Sequence, residues 1–136
     1  MTLLQHTRLS LLVLATAALA AGCAAPPPPA PPPTGLSEVM ERPAERALLE
    51  GIRAYDDGQY AQAEKALRKA LADGLQSARD RATAHKLLAF ITCTSDRLAD
   101  CQTEFREARA ADAGFALSRS EAGHPVWGPV YKSLSQ

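Results

Sequence analysis

From residue 37 to the C-terminus, this chain has no run in which apolar and polar residues alternate, and that absence restricts its fold more than any other feature. A half-buried strand needs a period of two, because successive side chains point to opposite faces of a sheet. Alanine, leucine, glutamate and arginine dominate instead, with few valines and isoleucines, and that is a helical composition. Apolar residues recur at spacings of three and four, which predicts four helices. Pro43 suits the first turn of one that carries Leu48, Leu49, Ile52 and Tyr55 and stops near Asp57-Gly58. A second, over residues 60–71, places Tyr60, Ala63, Ala66, Leu67, Ala70 and Leu71 on one stripe and ends at Asp73-Gly74. A third, over 78–93, turns Ala84, Leu87, Leu88 and Ile91 inward, and a fourth, over 98–111, presents Leu98, Cys101, Phe105 and Ala108. The connections within successive pairs are short. The expected fold is therefore all-α, built on two antiparallel helical hairpins.

The hairpins repeat each other at a separation of 38 residues: Gly58 falls on Asp96, Tyr60 on Leu98, Ala63 on Cys101, Leu67 on Phe105 and Ala70 on Ala108. Small residues at Gly51, Ala63 and Ala70 would let two helices approach closely, while Tyr55, Tyr60 and Leu67 fill the space around them. Gly51-x-x-x-Tyr55-x-x-Gly58-x-Tyr60-x-x-Ala63, followed by Leu67 and Ala70, resembles a tetratricopeptide repeat. Against the usual period of about 34, this chain has four extra residues, assigned to the 72–78 connection. The second copy is degenerate, with Ala89 and Asp96 at the glycine positions. Two repeats are fewer than such stacks normally need, so the flanks are expected to cover the exposed ends.

In the C-terminal flank, Phe115, Leu117 and Ser118-x-x-Glu121 predict a capped helical turn. Residues 123–131 contain two prolines and two glycines and are expected to interrupt any helix. Their Val126, Trp127, Val130 and Tyr131 favour an irregular segment folded back as a cap on the last hairpin. The rival reading makes Trp127 and Tyr131 anchors of a partner-binding peptide.

At the other end, Arg8 precedes an uncharged apolar stretch, residues 9–21, and small residues lead into Cys23. The stretch has the length of a secretory leader and is short for a membrane span. The pattern resembles a bacterial lipoprotein signal, departing from it in having Ala20 three residues before the cysteine and Leu19 one step further back. An ordinary soluble protein with an apolar N-terminal helix is the alternative. The resemblance implies a signal peptide over residues 1–22, acylation of Cys23, and a lipidated, proline-rich tether over 23–36 ahead of a helical domain over 37–136. Ala24, being non-acidic, implies sorting to the outer membrane, with the domain on its periplasmic face. Pro26 to Pro29 and Pro31 to Pro33 read as a polyproline spacer, or else as a ligand for a proline-binding module.

Fifteen basic residues balance fifteen acidic ones, and neither sign forms a long run. That argues against a nucleic-acid binder or a polybasic membrane patch. His6 lies in the leader, and neither His85 nor His124 has metal-ligand spacing to a second donor. No glycine-rich phosphate loop is present. His85 and Cys93 could form a base and nucleophile, but no third residue is placed to orient them. The expectation is a non-enzymatic chain without cofactor, metal or small-molecule substrate. Cys93 and Cys101 flank a hairpin turn, and in an oxidising envelope they would bridge; the alternative is two reduced core cysteines.

Taken together, the lipobox, proline spacer, tetratricopeptide hairpin, Cys93 and Cys101, Phe105-Arg106-Glu107-Ala108, Asp112-x-x-Phe115 and Gly123-His124-Pro125-Val126-Trp127-Gly128-Pro129-Val130-Tyr131 resemble the TssQ-like family of lipoproteins associated with type VI secretion. The resemblance implies a monomeric or weakly associating adaptor that holds envelope proteins, including the type VI secretion membrane complex, in a helical groove. Helical phase offers Arg53, His85 and Lys86 as groove residues. The same architecture would also serve pilus biogenesis or outer-membrane protein assembly, and a small periplasmic enzyme is the remote alternative.

Overall fold

The computed structural model describes Gly35 and residues 41–134. The leader, Cys23 and the proline tract lie outside the described residues. Those described form six helices and no strand: α1 (Pro43–Asp56), α2 (Tyr60–Ala72), α3 (Ala78–Thr94), α4 (Leu98–Ala111), α5 (Arg119–Ala122) and α6 (Trp127–Ser133). The four helices predicted from apolar spacing all form, with ends within a residue or two of those expected.

Local chemistry sets the boundaries. Pro43 opens α1, where the amide hydrogen it lacks would have had no helical acceptor. Gly58 ends the same helix with φ 73°, and its N–H donates to the Tyr55 carbonyl at 3.0 Å. Ser77 caps α3 by accepting the Asp80 N–H at 3.2 Å. Asp96, between α3 and α4, also adopts the left-handed region, with φ 58°. Aspartate tolerates that region better than most residues do. Two sequence positions 38 apart thus share one backbone conformation.

α1 packs along α2 and α3 along α4, while α2 and α1 join the two pairs through α3. The α1–α2 contact depends on Gly51, because a Cβ there would lie 2.7 Å from Leu67 Cγ. Leu67, Leu88, Thr92, Cys101 and Phe105 are the largest fully buried side chains. Thr92 satisfies its hydroxyl within the helix by donating to the Leu88 carbonyl at 2.7 Å. α3 is buried without a break from Leu87 to Cys93, as suits the central helix.

The C-terminal flank is more regular than expected. The capping box of α5 is complete: Ser118 Oγ accepts the Glu121 N–H at 3.2 Å, and Glu121 Oε2 accepts the Ser118 N–H at 2.8 Å. The expectation that residues 123–131 cannot be helical is corrected from Trp127 onward. Pro129 is the third residue of α6, where an amide has no helical acceptor to lose, so the ring is tolerated. Gly128 lets α6 start against α5, since a Cβ there would sit 2.6 Å from the Ala122 carbonyl oxygen. Only residues 123–126 remain outside a helix between α5 and α6.

Candidate functional site

The helical stripe of α4 that buries Cys101, Phe105 and Ala108 also buries Glu104. A carboxylate there needs partners, and it has them on two other helices. Glu104 Oε2 lies 2.7 Å from His85 Nδ1 of α3, and Glu104 Oε1 accepts from Arg68 Nη1 of α2 at 3.2 Å. Arg68 turns its other nitrogens to Glu64 Oε1, at 2.8 and 3.0 Å. Arg97, in the α3–α4 connection, grips both Glu64 oxygens at 2.6 and 2.9 Å. The result is a continuous chain, Arg97–Glu64–Arg68–Glu104–His85, that ties α2 to α3, α4 and their connection.

Its electrostatics follow from these contacts. The Arg97 hydrogen bond, reinforced by Arg68 and opposed by partial burial, lowers the Glu64 carboxyl from 4.5 to about 2. Burial works against the charge on Arg68, but Glu64 and Glu104 outweigh it and raise the guanidinium pKa. This chain of charges orients His85 and leaves no charged member of the network buried alone.

A second cluster holds the C-terminal helices. Lys86 Nζ donates to Glu121 Oε1 at 2.7 Å and lies 5.8 Å from the centre of the Phe90 ring. Burial raises the Glu121 carboxyl, and hydrogen bonds from Lys86 and Ser118 outweigh it, leaving the pKa lowered. Trp127 stacks on Phe90 with ring centres 4.2 Å apart, while His124 covers its other face at 3.3 Å. The indole N–H donates to the Glu121 carbonyl at 2.9 Å. Tyr131 packs between Phe105 and Phe115, with Arg109 over its ring. Trp127 and Tyr131 therefore contact the core as a cap would, and both faces of the indole are occupied.

Cys93 and Cys101 are joined in a disulfide with Cα atoms 5.0 Å apart. The bridge removes Cys93 as a nucleophile for His85, which faces Glu104 instead. The candidate groove residues do not share one site. Arg53 is exposed and lines a cleft of about 260 Å³ on α1 and α2, with Arg46, Leu49, Glu50, Ala54, Asp57, Gln59 and Gln62. Lys86 borders a different cleft, of about 440 Å³, between α3 and residues 112–116. His85 belongs to the charge network and borders neither. Among the described residues, no group of three or more His, Cys, Asp or Glu side chains could hold a metal, and no helix is long and apolar enough to cross a membrane.

Nothing in the sequence pattern singles out Glu64, Arg68, Arg97 and Glu104 as a group. One signal was available: Glu64 and Arg68 stand four apart on one helix, an ion-pair spacing. Glu104 was legible only as a carboxylate sharing a stripe with Cys101 and Phe105. Comparison with family models, with curated proteins and with solved structures returned no match.

Proposed function

We propose that the chain is an outer-membrane lipoprotein on the periplasmic side, an adaptor associated with type VI secretion, in which α1–α2 and α3–α4 are two tetratricopeptide-like hairpins. The observation that carries the reading is the Cys93–Cys101 disulfide, because such bridges persist in oxidising compartments and are rare in the cytosol. It agrees with a leader that ends just before Cys23. The tetratricopeptide assignment is supported by the close approach of Gly51 to Leu67 and by the left-handed residues Gly58 and Asp96, one at each hairpin turn. The link to secretion rests on the resemblance carried by residues 123–131. The cleft bordered by Arg79, Thr83, Lys86, Asp112 and Phe115 is the groove offered to an envelope partner.

Two measurements test the proposal. Mass spectrometry of the N-terminal peptide is expected to find a diacylglyceryl group and an amide-linked acyl chain on Cys23, and Cys23→Ser is expected to leave the outer-membrane fraction. A Cys23→Ser protein that still tracks with that membrane removes the anchor. Pull-down from solubilised envelopes is expected to recover secretion-complex proteins. Pilus or outer-membrane assembly components in their place would move the adaptor to one of those systems.

A further inference from the structure

The solvent face of α1 and its C-cap carry Arg46, Glu50, Arg53 and Asp57, whose signs alternate at spacings of four, three and four. All four are exposed, and all four line the cleft whose floor includes Leu49 and Ala54. They take no part in the charge clusters that join the helices. Glu64, Arg68, Lys69, Lys86, Arg97, Glu104 and Glu121 are all committed to ion pairs. Within the described residues, these four make no ion pair or side-chain hydrogen bond.

The order of the charges is self-complementary. If a second α1 is laid antiparallel on the first about a two-fold axis, with Glu50 placed opposite Arg53 of the second copy, the register of every other position follows. Arg46 then meets Asp57 of the second copy. Each contact occurs twice, as an isologous interface requires. Four ion pairs then form, and no like charges meet. A parallel arrangement in the same register sets Glu50 against Glu50 and Arg53 against Arg53, so the pattern also selects an orientation.

We infer that this face of α1 is a homodimer interface, in which two copies associate antiparallel through Arg46, Glu50, Arg53 and Asp57. The strip is about 16 Å long, well short of a permanent dimer interface, so association is weak and concentration-dependent. The inference is independent of the anchor and of the partner proposed above.

Sedimentation velocity of the purified protein over roughly 10 µM to 1 mM tests it, with circular dichroism confirming that each variant is folded. The wild type is expected to show reversible dimerisation that weakens with added salt. Glu50→Arg sets arginine against Arg53 of the second copy, and Arg53→Glu sets glutamate against Glu50; each is expected to weaken self-association by about tenfold or more. The decisive sample is a mixture of the two variants. Every arginine at these positions in one chain then faces a glutamate in the other, so the mixture is expected to dimerise where neither variant does alone. The double variant E50R/R53E is likewise expected to recover self-association. A wild type that stays monomeric over the whole range overturns the inference. So does a dimer indifferent to both substitutions, or a mixture that fails to associate.

Discussion

Glu104 occupies a position of α4 that helical phase assigns to the core, and it is buried there with its charge divided between Arg68 and His85. Replacing it by alanine removes the acceptor for the ring and one of the two partners of Arg68. Because Arg68 keeps Glu64 and is half exposed, Glu104→Ala is expected to cost about 1–2 kcal/mol, less than a fully buried pair, as measured by urea unfolding. Gly51→Ala tests packing in the opposite sense. It places a methyl 2.7 Å from Leu67 Cγ in a side chain with no free space around it, and a loss of about 1–3 kcal/mol is expected by the same measurement. Gly51 was legible in the sequence because only a small residue lets two helices approach so closely. The charge network was not. Its ties run from α2 to residues of α4 and the α3–α4 connection more than thirty positions away, and the spacing of charges along one helix carries no information about a neighbour.

At the scale of elements, the four main helices were readable because each carries its own apolar stripe and its own stop signal. The C-terminal flank was misread for a physical reason. Proline breaks a helix only where an amide hydrogen bond is lost, and the third position of α6 has none to lose. Two predictions belong here. Joining α3 to α4 at a sequence separation of 8 restricts the unfolded chain, so the Cys93→Ala/Cys101→Ala protein is expected to be about 2–3 kcal/mol less stable than the oxidised wild type. Equal stability of the two proteins would mean that helix packing alone fixes the α3–α4 pair. For α6, Trp127 lies between Phe90 and His124, and its emission is expected to be blue-shifted relative to the unfolded chain. Trp127→Ala is expected to cost about 2–3 kcal/mol, below the figure for a fully buried indole because this one is only half buried. An emission maximum matching the unfolded protein would instead return Trp127 to the role of an exposed anchor for a partner.

The two helix pairs act as one molecule because apolar packing between α2 and α3 is reinforced by charge, and charge makes their union dependent on pH. Glu64 is the group through which this is measured. Its carboxyl titrates near 4.5 in the unfolded chain and at about 2 in the folded one, held down first by the hydrogen bond from Arg97 and then by Arg68. A folded pKa below the unfolded one means that the unfolded state binds the proton first. The stabilisation is therefore complete above 4.5 and is lost as the pH falls toward 2. Glu121, whose pKa is also lowered, adds a loss of the same sign at the junction with the C-terminal helices. Both arginine partners of Glu64 are partly open to solvent, so its share is on the order of 1–2 kcal/mol. Urea unfolding at a series of pH values is expected to show stability falling through this range. The fall should be shallower for Glu64→Gln, which has no carboxyl to protonate and starts from a lower stability at neutral pH. Arg97→Gln should behave similarly, because it removes the hydrogen bond most responsible for the low carboxyl pKa. If both variants reproduced the wild-type slope, the coupling of the helix pairs would have to be assigned to apolar packing alone.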